Sequence, residues 1–109
     1  VELRNASMEG ARKLEKAGVR FAVMTDAPVK RVGSLIDDIR NCVRHGVSRE
    51  AALRAVTAVP AEIMGLSGRI GSLEAGKDAD MAVFESDPFD FMSGVRTTLV
   101  DGIPVHGEL

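Results

Sequence analysis

Hydrophobic and polar positions along the chain change their period three times, and each change marks a change of element. Met8, Ala11, Leu14 and Ala17 recur three residues apart, while Glu9, Arg12, Lys13, Glu15 and Lys16 take the other faces, a pattern that predicts a helix capped by Asn5 or Ser7 and ended by Gly18. The next stretch, Val19-Arg20-Phe21-Ala22-Val23-Met24, is almost wholly apolar and stops at Thr25-Asp26-Ala27-Pro28. A solvated edge strand would alternate polar with apolar, so this run predicts a strand buried on both faces, of the kind found in parallel sheets. Helix, glycine and buried strand together make the αβ half of a βαβ unit.

Beyond Pro28 the helical period returns. Gly33-Ser34 is placed to cap a helix with an apolar stripe of Leu35, Ile36, Ile39, Cys42 and Val43, acids Asp37 and Asp38 near its start, and Arg40, Arg44 and His45 near its end, as the helix dipole favours. Gly46 closes it. Ser48 caps a third helix, with Ala52, Leu53 and Val56 expected to face inward, and Pro60 opens a short turn over residues 61–64. From Gly65 onward glycines punctuate short segments, two of which, residues 80–85 and 95–100, read as strands. Asp101-Gly102 between two apolar runs is a strong hairpin signal, because a type I′ turn needs positive φ at both central residues. These readings give an α/β chain with a boundary near residue 65.

Composition narrows the function classes. The 109 residues carry a net charge of −2, and with only 4% aromatic residues there is neither a cationic field for nucleic acid or anionic membrane nor a base-stacking surface. No apolar run approaches the roughly 20 residues of a membrane span, and there is no signal-peptide pattern. A single cysteine, Cys42, forbids an intrachain disulfide and fits a cytoplasmic location. The first residue is Val rather than Met, the expectation being a processed or truncated product, or a boundary chosen by design.

Asp26 is the leading candidate for chemistry. In parallel α/β architectures ligands and catalytic groups lie just past the carboxyl ends of strands, which is where Thr25 and Asp26 fall; the competing reading is that Asp26 caps a turn before Pro28. Gly71-Ser72-Leu73-Glu74-Ala75-Gly76-Lys77 has the spacing of a phosphate-binding loop, yet Asp78 stands where Ser or Thr should ligate magnesium and a strand follows where a helix is needed, so this is read as a turn with Lys77 solvated. His45 and His106 lack ligand partners at a metal-binding spacing, Ser67, Ser72 and Ser86 lack a nucleophile context, and Cys42 lies on an apolar stripe. Lys30, Arg31, Arg40 and Arg44, balanced by Asp37 and Asp38, read as a solvated face.

The order of these segments resembles the C-terminal part of metal-dependent amidohydrolases. It is carried by Thr25-Asp26-Ala27-Pro28, by Ser48 to Thr57, by Pro60 to Leu66, and most specifically by Gly68-Arg69-Ile70-Gly71-Ser72-Leu73-Glu74-Ala75-Gly76-Lys77-Asp78-Ala79-Asp80-Met81-Ala82-Val83, with Val95 to Val105 as the final hairpin. The imidazolonepropionase-like and dipeptidase-like branches are the nearest in pattern. The resemblance implies a C-terminal fragment of a TIM barrel, its last strand and helices over residues 1–64, plus part of a small β-sandwich over residues 65–109. It further implies hydrolysis of a C–N bond in an amide or cyclic amide, with a divalent metal, zinc foremost, and with Asp26 as the chain's one counterpart of the family's ligands, binding metal and taking a proton from the attacking water. Met24 stands where many relatives carry Gly, so no branch's substrate transfers. A fragment with one ligand is expected to be inactive alone and to self-associate or require the missing barrel portion. The alternative is a stand-alone, non-catalytic association module derived from the same fold.

Overall fold

The computed structural model describes residues 10–24 and 34–107, and shows an α/β chain of four helical segments followed by a three-stranded antiparallel sheet. The helical segments are residues 10–16 (α1), Leu35–Arg44 (α2), Arg49–Ala55 (α3) and Ala58–Ile63 (α4). Three of them end alike. After α1 the Gly18 N–H donates to the Glu15 carbonyl and the Val19 N–H to that of Leu14, a pairing repeated after α2 by Gly46 to Val43 and Val47 to Cys42, and after α4 by Gly65 to Glu62 and Leu66 to Ala61. In each case glycine takes the left-handed conformation that lets two otherwise orphaned carbonyls find donors. Asn5 and Ser7 lie outside the described residues.

Where the helices begin is less uniform. Ser48 caps α3 as expected, accepting from the Ala51 N–H at 3.1 Å, whereas Ser34 at the head of α2 makes no capping bond because its backbone is already helical. Pro60 is the third residue of α4 rather than its first, still within the turn whose N–H groups need no intrahelical acceptor. The inward stripe of α3 and α4 is Ala52, Ala55, Val59 and Ala61; Ala52 is buried as expected and Val56 half-buried, whereas Leu53, also expected inward, is 48% exposed. The buried cluster Ala11, Cys42, Val47 and Ala52 joins α1, α2 and α3, and Phe21, Val23, Val43, Ala51 and Phe89 pack against it.

The run from Val19 to Met24 corrects the reading of a strand buried on both faces. It has no ladder partner among the described residues, and exposure alternates, with Phe21 and Val23 half-buried and Ala22 and Met24 exposed. A central strand needs a strand on each side, and the described strands pair only with one another. Val23 instead donates its N–H to the Ala55 carbonyl at 3.0 Å.

Strand β1 (Met81–Phe84) pairs with β2 (Val95–Val100), which pairs with β3 (Ile103–His106). Thr97 and Leu99 on the central strand are buried, β3 is exposed throughout, and Pro104 sits on that outer strand, where a missing N–H costs the ladder least. The hairpin signal holds: Asp101 and Gly102 have φ of 53° and 79°. The turn is tethered backwards, the Asp101 N–H donating to Asp80 Oδ1 and the Gly102 N–H to the Ala79 carbonyl, both at 2.8 Å. No helix among the described residues is long and apolar enough to cross a membrane.

The contacts of Gly71 and of Glu15 each bear on stability. Gly71 has φ of 96°, and a Cβ there would stand 2.7 Å from Ala61 Cβ and 3.1 Å from the Thr57 carbonyl oxygen, whereas a Cβ on Gly68 would meet nothing within 4 Å. Gly71→Ala is expected to lower stability by about 2–3 kcal/mol and Gly68→Ala by no more than about 0.5 kcal/mol, read from urea unfolding. Glu15 lies at the α1–α3 contact, where its carboxylate accepts from the Ser48 N–H at 2.8 Å and from the Ser48 hydroxyl. These bonds, the hydroxyl first, hold the Glu15 carboxyl below its ordinary 4.5. A depressed native pKa contributes stability above the unfolded value that is lost as pH falls through the native one. Glu15→Gln should therefore flatten the acid-side fall in stability between about pH 5 and pH 3; an unchanged slope would refute the coupling. Glu74, held low by Lys77 and then Ser72, keeps the slope from vanishing.

Candidate functional site

Residues 19–24 lead toward the acid at position 26, and the described structure shows how they are held. Gly18 turns the chain out of α1, the Arg20 guanidinium pairs with the Glu62 carboxylate of α4, and Phe21 and Val23 anchor the next residues on the buried cluster. Beside this segment lies an open cavity of about 310 Å³ lined by Glu15, Val19, Arg20, Phe21, Ser48 and Arg54 among others. Thr25 and Asp26 themselves, with Lys30 and Arg31, lie outside the described residues.

Of the other polar candidates, His45 and Cys42 make structural contacts. His45 is exposed at the end of α2 with Nδ1 2.8 Å from the Asn41 carbonyl oxygen, and His106 is an exposed residue of β3 opposite Thr98. Cys42 is buried; desolvation first, and then the charge of Asp38, push its thiol up, away from the thiolate a nucleophile requires. Among the described residues no three His, Cys, Asp or Glu stand close enough together to hold a metal ion, so these donors by themselves do not fit one.

The glycine-rich stretch after α4 is a turn, as expected, and β1 rather than a helix follows it. Lys77 is not solvated as expected: its side chain is 18% exposed, with Nζ 2.7 Å from both Ser72 Oγ and Glu74 Oε2. An ammonium already held by a carboxylate and a hydroxyl has little left for a phosphate. Asp78 faces Arg69, 2.8 Å from its Nη2.

Arg40, like Lys77, is not on the solvated face expected for it. Its side chain is 13% exposed and donates from Nε to the Pro88 carbonyl and from Nη2 to that of Ser93, both at 2.8 Å. The signal was present: position 40 follows Ile36 by four and precedes Val43 by three, which places it inside the apolar stripe of α2 rather than on a solvated face. A wide, mostly apolar groove of about 700 Å³ lies elsewhere, lined by Leu53, Ala61, Met64, Ile70, Leu73 and Met81 among others.

Comparison with known proteins gives these features a context. The profile of the Amidohydrolase family matches residues 2–105. An amidohydrolase from Thermotoga maritima superposes with a TM-score of 0.86 at 40% identity, covering 93% of this chain and 26% of that one. A Xaa-Pro dipeptidase crystallised with methionine in its active site superposes with a TM-score of 0.80 at 27% identity, covering 92% of this chain and 25% of its own. In sequence, the imidazolonepropionase of Acidiphilium cryptum is 33% identical over 91 residues, 81% of this chain and 23% of that protein. The N-acetylglucosamine-6-phosphate deacetylase of Danio rerio is 44% identical over 66 residues, 56% of this chain and 15% of that protein. The chain thus spans less than a quarter of the length of either curated relative.

Proposed function

The chain belongs to the Amidohydrolase family, and we propose that it is the C-terminal share of a cytoplasmic hydrolase that cleaves a C–N bond, amide or cyclic amide, in a small molecule. The observation that carries this reading is the match over residues 2–105, nearly the whole chain, to a family whose members described above are much longer than this chain. On this reading residues 1–64 are the last strand and closing helices of a TIM barrel, and residues 65–109 are part of a β-sandwich. The helices up to Ile63 and the strands from Met81 onward support that division.

Asp26 is proposed as the one residue of this chain at the reacting centre. Past the end of a segment anchored by Phe21 and Val23, a carboxylate is suited to contribute one ligand to a divalent metal, zinc in the first instance, and to take a proton from the attacking water. The remaining ligands belong to segments beyond this chain, since a site of this type needs about four donors in fixed geometry. The chain alone is therefore expected to bind zinc weakly and to hydrolyse none of three probes: an Xaa-Pro dipeptide, imidazolonepropionate and N-acetylglucosamine 6-phosphate. In the protein at its full natural length, Asp26→Asn preserves size but removes the proton acceptor, so turnover on whichever probe is accepted should fall on the order of a hundredfold or more. Tight stoichiometric zinc with amidase activity in the chain alone would overturn the first expectation, and unchanged turnover in the variant the second.

One observation favours a second reading, a non-catalytic association module. Ile103 and Val105 on the outer strand are more than 60% exposed, and Leu73, Phe91 and Met92 more than 70%. Apolar surface and an unpaired strand edge of this kind favour association. Light scattering on the 109-residue chain should show self-association; a well-folded monomer at high concentration would remove the support for this reading.

A further inference from the structure

The residues that lead toward Asp26 share their packing surface with a turn from the far end of the chain. Phe21 and Val23 rest on the cluster of Ala11, Cys42, Val47 and Ala52, and Phe89 rests on the same cluster. Phe89 belongs to the turn that joins β1 to β2, and polar contacts give this turn its shape. Asp87 Oδ1 accepts from the Phe89 N–H at 2.9 Å, and Ser93 Oγ both accepts from the Ser86 N–H at 3.2 Å and donates to the Ser86 carbonyl at 3.1 Å. Arg49 of α3 forms an ion pair with Asp87. Arg40 of α2 completes the set by binding the Pro88 and Ser93 carbonyls, one on each side of Phe89.

The guanidinium is built around the turn rather than around its own helix. The carboxylate of Asp37, the acid one turn earlier, is 3.7 Å from Nη1 and 61% exposed, a weak and solvated partner, while both carbonyl contacts are at 2.8 Å on a side chain that is largely buried. Burying a charge in this way is tolerated only where its donors are satisfied, and two carbonyls separated along a turn suit the planar fork of arginine better than the point charge of lysine.

We propose that Arg40 is a positioning residue: by fixing the Pro88 to Ser93 turn it seats Phe89 on the cluster that Phe21 and Val23 also occupy, and so holds residues 21–24 in place. The consequence for catalysis rests on the proposed role of Asp26, two residues beyond Met24; the placement itself does not. With Phe89 seated, the cluster is covered on the side the turn occupies, and the anchoring side chains of residues 21–24 meet a fixed surface. With the clamp removed, Phe89 is free to leave and that surface loosens.

Hydrogen exchange read by mass spectrometry on the protein at its full natural length tests this without an activity assay. Arg40→Ala should speed exchange on the order of tenfold or more both in residues 85–94 and in residues 20–24, leaving the 95–106 hairpin unchanged. Arg40→Lys should recover part of the protection. Phe89→Ala, which spares the clamp, should loosen residues 20–24 while residues 85–94 stay protected. The proposal is overturned if Arg40→Ala affects residues 85–94 alone, if Phe89→Ala leaves residues 20–24 unchanged, or if protection is lost throughout, including the hairpin, since the role assigned is local. Exchange confined to residues 85–94 would leave the Asp26 reading standing, and an Asp26→Asn protein with unchanged turnover would leave the exchange result standing.

Discussion

Small side chains at the helix contacts set the terms for the rest of the structure. Ala11, Cys42, Val47 and Ala52 form the cluster joining α1, α2 and α3, Ala55 and Ala61 are buried further along, and among the described residues Thr97 is the largest side chain to be fully enclosed. Small residues let backbones approach, and close approach leaves little tolerance for added volume. Gly71 shows the consequence, since the turn after α4 lies so near Ala61, Thr57 and Ala58 that a methyl group has no room. A core of this kind also buries modest apolar area per residue, so the larger apolar side chains, Ile63, Met64 and Leu73 among them, are left mostly exposed.

Because apolar burial is shallow, polar contacts between distant segments carry much of the specification. Glu15 reaches the N-terminus of α3, Arg20 pairs with Glu62, Arg49 with Asp87, Asp80 accepts from the hairpin turn, and Arg40 spans from α2 to the turn between β1 and β2. The exposed pairs among these contribute little energy individually but restrict which arrangements are compatible with the sequence. Arg40 differs from them in being largely buried, so losing its acceptors would leave a desolvated charge, a far larger penalty than losing a surface pair. Among the described residues no buried side-chain nitrogen or oxygen lacks a partner.

What was legible in the sequence was local. The glycine ends of the helices, Ser48 as a cap, and the Asp101-Gly102 turn were all readable because each depends on a few adjacent residues and on a backbone conformation that few residue types accept. What was not legible depended on partners remote in sequence. Leu53 looked inward by composition, but the stripe that packs is the alanine one; Arg40 and Lys77 looked solvated by residue type, yet each meets acceptors that only the fold brings near. The run from Val19 to Met24 was read as an apolar strand needing neighbours on both sides, and it forms no ladder here because the strands it would pair with are not among the described residues. Of the candidate site, Asp26 was legible only as an acid after an apolar run, and it lies outside the described residues.

The same dependence on remote partners bears on how a single acid could be placed for chemistry. A carboxylate acts as a proton acceptor only when its position is set to within a fraction of an ångström, and that precision comes from the element that carries it rather than from the carboxylate. In this chain the approach to position 26 is fixed from one side by the Val23 to Ala55 bond and by Phe21 and Val23 on the buried cluster. The alternation of half-buried Phe21 and Val23 with exposed Ala22 and Met24 means that the opposite side is left uncovered by the described residues. A strand buried on both faces requires that second cover, and the almost wholly apolar composition of residues 19–24 is matched to it. The described helices of this chain therefore cover one side of residues 19–24. The sequence of that segment is itself a reason to seek cover for the other side in the longer proteins to which the family match belongs.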